Sequence, residues 1–185
     1  MIDPKQRLLA GTVDYLAANG ASEISLRRLA AALGTSHRML IYHFGSKEGL
    51  LIEVVRVMEQ RQREVFTELA LDPSASPGEI ARGFWRRLAD PAMWPHERLF
   101  FEMYGRALQG DPCTAPLLDS LVESWLAPLT EWNRRQGMPV PTAQVNARLG
   151  VAVVRGLLLD LLATGDRQAT DAAMEHLIAM YPAVR

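Results

Sequence analysis

Apolar residues recur at helical spacing along almost the whole chain, and no stretch keeps the two-residue alternation of a half-buried strand. That pattern restricts the fold to the all-α class. Nine helices are expected, over residues 4–19, 26–33, 37–44, 47–71, 77–88, 94–108, 115–135, 142–163 and 167–180. Turn clusters separate them: Asn19-Gly20, Asp72-Pro73-Ser74-Ala75-Ser76-Pro77, Asp90-Pro91, Gly110-Asp111-Pro112, Gly137-Met138-Pro139-Val140-Pro141 and Thr164-Gly165-Asp166. There is no internal repeat.

Two short helices stand out early in the chain. The first buries Leu26, Leu29, Ala30 and Leu33 at i, i+3, i+4 and i+7, with Ser25 placed to cap its start and Gly34 to close it. The second begins after Thr35-Ser36, where Ser36 can act as cap, and runs for barely two turns from His37 to Phe44 before Gly45. Ser46 can then cap a long helix starting at Lys47. Two short helices joined by a tight turn containing Gly form a helix-turn-helix.

With Leu40 pointed at the core, Phe44 falls beside it, while Arg38 and Tyr42 point away and Met39 flanks them. His37, Arg38, Met39 and Tyr42 make a surface suited to a groove. Arg38 can donate two hydrogen bonds to guanine O6 and N7, and Met39 can contact a thymine methyl. Tyr42, His43 and Lys47 are placed to hold phosphates. The starts of the helices at Ser25 and Ser46 are positive dipole ends, with Arg27, Arg28 and Lys47 beside them. Arg27 and Arg28 could equally solvate the outer face of their helix, and His43 could be a structural hydrogen-bonding residue next to Phe44.

Charge is compatible with a DNA reader. The net charge is only −1. Residues 1–50 carry Lys5, Arg7, Arg27, Arg28, Arg38 and Lys47 against Asp3, Asp14, Glu23 and Glu48, a local +2, which leaves −3 for the remainder.

The run from Ala10 to Leu51 resembles the DNA-binding domain of TetR regulators. The resemblance rests above all on Leu29-Ala30-Ala31-Ala32-Leu33-Gly34-Thr35-Ser36 and on Tyr42-His43-Phe44-Gly45-Ser46-Lys47-Glu48-Gly49-Leu50-Leu51. It covers roughly the first quarter of the chain. It implies a helix-turn-helix domain over residues 1–46, and over 47–185 a helical body that encloses a ligand cavity and dimerises through its last two helices. By the same resemblance Ser36, Tyr42, His43 and Lys47 fall where the family touches phosphates, and His37, Arg38 and Met39 where it faces bases. Members usually carry a tyrosine directly after the core leucine; here Ile41 takes that place and Tyr42 follows.

The implied cavity has candidate linings. Most large aromatics lie in residues 84–132, and Trp85, Phe101, Tyr104 and Trp125, with Arg155 as a polar anchor, are the ligand-binding candidates. The same residues could pack an ordinary core. Val153, Gly156, Leu157, Leu177 and Ile178 are the dimer-interface candidates, since two apolar helix faces per chain can form a four-helix bundle with a twofold mate.

The expected function is a homodimeric, sequence-specific regulator of transcription, a repressor released from a palindromic operator by an unknown small molecule. A ligand-responsive activator and a helix-turn-helix that docks a protein remain open. The four histidines are scattered, and there is no His-Glu-x-x-His, phosphate-cradling glycine loop, nucleophile elbow or metal-ligand spacing, so neither an enzyme nor a metal or cofactor is expected. A single cysteine, Cys113, and the lack of an apolar run of spanning length point to the cytoplasm, with no membrane partner.

Overall fold

The structure is a computed structural model that describes residues 3–19, 24–72 and 74–180. Gly20 and Pro73, which entered the sequence reading as turn residues, and Glu23, which entered its charge count, lie outside the described residues. Within them the chain is helical, with no strand: α1 (Pro4–Asn19), α2 (Leu26–Ala32), α3 (His37–Phe44), α4 (Lys47–Ala70), α5 (Pro77–Leu88), α6 (Trp94–Leu108), α7 (Leu118–Leu121), α8 (Glu123–Arg135), α9 (Val140–Thr164) and α10 (Arg167–Met180). Short 3-10 turns at Pro91–Met93 and Ala115–Leu117 lead into α6 and α7.

Two departures from the expected elements have local causes. The segment 115–135 is not one helix. Pro116 lies in a tight first turn in which Leu117 N donates to Thr114 O at 2.9 Å, and α7 is a single turn that ends before Val122. Counting α7 separately gives ten α-helices among the described residues, and without it the nine expected. The start of α9 comes two residues early, because a first-turn amide has no intrahelical acceptor and Pro141 is therefore tolerated inside the helix.

The chain divides into two compact units, Met1–Gln60 with Ala92–Leu118, and Arg61–Pro91 with Asp119–Arg185. In the first, α1 packs on α2 and α6, and α2 packs on α3. Its buried apolar residues include Leu16, Leu29, Leu40, Leu50, Val54, Leu99 and Met103. His96 is buried in α6 with Nε2 3.4 Å from the Val13 carbonyl of α1. α4 contributes its first part to this unit and its remainder to the second.

In the second unit α8 and α9 form a helical hairpin, and α10 packs on both α9 and α5. Phe66, Phe84, Trp125 and Trp132 meet there edge to face or tilted, with ring centroids 5.4 to 6.3 Å apart, the geometry aromatic quadrupoles favour. Polar ties lock the helices in register: Asn133 Nδ2 donates to Ala143 O at 3.1 Å, and Arg63 Nη1 to Ser124 Oγ at 2.9 Å.

Candidate nucleic-acid interface

The turn between α2 and α3 depends on Gly34. Its φ is +62°, in the left-handed region that side chains disfavour. Gly34 N donates to Ala31 O at 3.2 Å and Thr35 N to Ala30 O at 2.9 Å, the paired bonds of a Schellman ending. Ser36 caps α3 as expected, its hydroxyl accepting from Met39 N at 3.2 Å. At the other end Gly45, with φ +76°, donates to Ile41 O at 2.8 Å. Ser46 Oγ accepts from Gly49 N at 2.9 Å and so caps α4. α3 is thus fixed at both ends within eight residues.

Ser25 corrects the sequence reading. It occupies the N-cap position of α2 with extended backbone, φ −101° and ψ 123°, but its side chain makes no capping hydrogen bond. The backbone conformation alone sets the entry to α2.

The face that α3 turns inward is narrow. Only Leu40 and Phe44 are buried, whereas His37, Arg38 and Met39 are exposed and Tyr42 is 78% exposed. Ile41 and His43 are half-buried. The Tyr42 and His43 rings stand edge to face at 5.1 Å, and His43 Nε2 is shielded with no hydrogen-bond partner. Arg27 and Arg28 are exposed on α2, and Lys47 is half-buried at the start of α4.

Among the described residues, the cations of this unit's first fifty positions are free of carboxylates. None of Lys5, Arg7, Arg27, Arg28, Arg38 and Lys47 makes an ion pair with another described residue. Elsewhere arginines do pair, as in Arg106–Asp111 at 2.7 Å, Arg82–Glu175 at 2.8 Å and Arg167–Asp171 at 3.0 Å. Unneutralised cations around an exposed two-turn helix, flanked by the amide end of α4, suit a polyanion.

Residues 8–54 match the family described as bacterial regulatory proteins, tetR family. The helix-turn-helix domain is that of the TetR family. The match runs from α1 into α4 and so takes in every element of the reader.

Solved structures extend the likeness to the full fold. A transcriptional regulator from Rhodococcus sp. RHA1 superposes with a TM-score of 0.75 at 21% identity, over 96% of this chain and 95% of that one. A TetR transcriptional regulator from Legionella pneumophila gives 0.71 at 18% identity, over 97% of each chain. Salmonella enterica GusR gives 0.67 at 17%, again over 97% of each. No protein of curated function matches the chain. The chain therefore carries a TetR-family helix-turn-helix domain, and its fold over nearly the full length is similar to that of these solved regulators.

The ligand-binding candidates of the helical body are not gathered within either unit. Trp85, Trp125 and Arg155 lie in the second and Phe101 and Tyr104 in the first. Trp85 is buried, and its Nε1 donates to Asp171 Oδ1 at 2.6 Å. Arg155 Nη2 donates to the Leu121 carbonyl at 2.6 Å. Trp125 belongs to the aromatic cluster, and Phe101 and Tyr104 both lean on Phe100, at 5.1 and 5.6 Å. An open groove of about 490 Å³ runs between α8 and α9, with Leu126, Ala127 and Val140 among its apolar lining and Arg134 and Arg148 among its charged lining; it contains none of the five.

The dimer-interface candidates divide by exposure. Gly156 is exposed and a Cβ there would meet open space, whereas Val153, Leu157, Leu177 and Ile178 are half-buried. Ile178 sits against Gly78 of α5 in its own chain. The exposed apolar row of α9 is instead Val145, Leu149, Ala152, Gly156, Leu159 and Ala163. Its spacings of four, three, four, three and four residues were readable in the sequence as a coiled-coil seam. α10 adds exposed Ala169, Ala172, Ala173, Ala179 and Met180.

No helix among the described residues is long and apolar enough to cross a membrane. Among them no group of three or more His, Cys, Asp or Glu is placed to hold a metal ion.

Proposed function

We propose that this chain is a homodimeric repressor acting in the cytoplasm, that it reads a palindromic operator through α3, and that a small molecule bound in the helical body releases it. One observation carries the DNA-reading half: Arg38, exposed and without an ion pair among the described residues, shares the outer face of α3 with Tyr42 and Met39, between capped helix ends. In this reading Arg38, with His37 and Met39, contacts base edges. Ser36, Tyr42, His43, Lys47, Arg27, Arg28 and the backbone at Ser25 fix register on phosphates.

The two-faced α9 supports the dimer. Its row from Val145 to Ala163 lies opposite the side on which Ala147, Val151, Leu158 and Leu161 are buried. A second copy covers that row and α10 in a four-helix bundle, so that two α3 helices enter successive major grooves about one turn apart.

Support for the effector half comes from the aromatic content of the body. In this reading Trp125 of the second unit and, separately, Phe101 and Tyr104 of the first are the apolar contact candidates, and Trp85 and Arg155 of the second have their polar groups held by Asp171 and the Leu121 carbonyl. The effector favours a conformation whose α3 spacing no longer fits the operator, and operator DNA weakens effector binding by the same factor.

Selection of bound duplexes from a random pool tests the reading. A twofold-symmetric consensus is expected, and Arg38→Ala should cost about 1–3 kcal/mol at one base step and relax the preference there. Lys47→Ala should weaken all sequences alike. Failure to enrich any sequence removes the proposal, and equal loss on all sequences by Arg38→Ala removes Arg38 as reader. Repeating the selection with a panel of small molecules identifies the effector.

A further inference from the structure

We infer that Lys5, outside the helix-turn-helix proper, is a further DNA-backbone contact, held at the end of the recognition helix by the Phe44 ring. The inference rests on the DNA-binding reading and adds a residue that the motif does not contain.

Lys5 lies in the first turn of α1 and is half-buried, with Nζ 5.6 Å from the centroid of Phe44. An ammonium over an aromatic face is attracted by the ring quadrupole, so the side chain is drawn toward one place instead of sweeping through solvent. That place is set by α3. Phe44 is its last residue, two after Tyr42 and three before Lys47, and its own position is fixed by burial beside Leu40. The C-terminal end of a helix carries partial negative charge, which also favours a cation there.

Among the described residues no carboxylate neutralises this ammonium. The nearby Asp3 uses Oδ1 to accept the Lys5 backbone N–H at 3.2 Å, and Lys5 makes no ion pair with a described residue. Beside the last residue of α3, a cation with no carboxylate partner among the described residues is available to a phosphate oxygen. Each such contact releases a condensed counterion from the duplex. Contact with a phosphate carries no base information, so Lys5 sets affinity and register and leaves sequence preference unchanged.

Titration of a fluorescent mixed-sequence duplex at several salt concentrations tests this with the intact chain, Lys5→Gln and Lys5→Arg. The slope of log affinity against log salt should fall by about 0.9 per protomer, about 1.8 for a dimer, in Lys5→Gln and stay at the parent value in Lys5→Arg. The loss should be equal on a selected operator and on mixed sequence. A parent-like slope for Lys5→Gln, whatever its affinity or melting temperature, overturns the inference and leaves Lys5 as a brace between α1 and α3. A parent chain that binds no duplex overturns the DNA-binding reading itself.

Discussion

Trp85 and Asp171 are joined by a hydrogen bond of 2.6 Å from the indole Nε1 to Oδ1, which ties α5 to α10 across 86 residues of chain. The same carboxylate accepts two bonds from Arg167 Nε, at 3.1 and 3.0 Å, and Arg167 Nη1 reaches the Ala89 carbonyl at 2.7 Å. One acidic side chain therefore organises the end of α5, the residue after it and the first turn of α10.

The first prediction concerns this knot. Asp171→Ala leaves the N–H of a Trp that is only 3% exposed without its acceptor. A hydrogen bond to a charged group contributes about 1.5–3 kcal/mol, so a loss of that order is expected in urea unfolding. Trp85→Phe combined with Asp171→Ala should cost less than the sum of the single changes, since both remove the same bond. Strict additivity would show that the bond is not what holds α5 to α10.

A second prediction follows from the left-handed φ of Gly34. Gly34→Ala places a Cβ in a conformation disfavoured by about 1–2 kcal/mol, although nothing lies within 4 Å to clash with it. Stability should fall by roughly that amount, read from the denaturation midpoint. The bonds at risk are those from Gly34 and Thr35 to Ala31 and Ala30, which aim α3. DNA affinity should therefore fall further than at Arg27→Ala, where one exposed cation is lost.

The third prediction is a pH dependence. Ser76 and Glu79 form a full capping box at the start of α5: Glu79 Oε2 accepts from the Ser76 hydroxyl at 2.6 Å and from Ser76 N at 2.7 Å, while Ser76 Oγ accepts from Glu79 N at 3.3 Å. The hydroxyl bond first, and the amide bond after it, hold the Glu79 carboxyl below the usual glutamate value. A carboxyl whose folded value is depressed gives stability that is present above its unfolded value and is lost as pH falls through the folded one. Unfolding midpoints measured from neutral pH downward should decline in that acidic window, with a shallower decline in Glu79→Gln. Asp72 and Asp111, also held low by hydrogen bonds, contribute with the same sign and keep the decline from vanishing. A Glu79→Gln profile that superposes on the parent would remove the capping box as a source of acid sensitivity.

What the sequence disclosed, and what it did not, follows the range of the interactions involved. The reader was legible because its determinants are local: Gly34 ends one helix, Ser36 caps the next, and Leu40 with Phe44 defines an inner face within four residues. Ser25 was misread because a capping hydroxyl must also adopt the right rotamer, which the residue type does not dictate. The Pro139-Val140-Pro141 cluster looked like a loop, although both prolines are compatible with a helix start. The partners that hold Trp85 and Arg155, Asp171 and the Leu121 carbonyl, were not legible because they lie 86 and 34 residues away. For α9 the difficulty was different: it is apolar on two opposite sides, and periodicity cannot say which side its own chain covers.

The last prediction separates those two sides at adjacent positions. Leu158 is 4% exposed and faces the interior of the protomer, whereas Leu159 is 52% exposed and belongs to the outer row. Leu158→Ala should destabilise the fold by about 2–5 kcal/mol through lost transfer energy and an imperfectly collapsed cavity. Leu159→Glu removes no internal contact of comparable burial, so helicity by circular dichroism should match the parent. Sedimentation should instead change, because two carboxylates brought together across a twofold apolar seam repel and are desolvated there. The parent is expected to sediment as a dimer and Leu159→Glu as a monomer at micromolar concentration, with operator binding weakened in step, since one α3 alone engages a single half-site. A parent that sediments as a monomer would remove the dimer outright, and a Leu159→Glu chain that still sediments as the parent dimer would move the interface away from the outer row of α9.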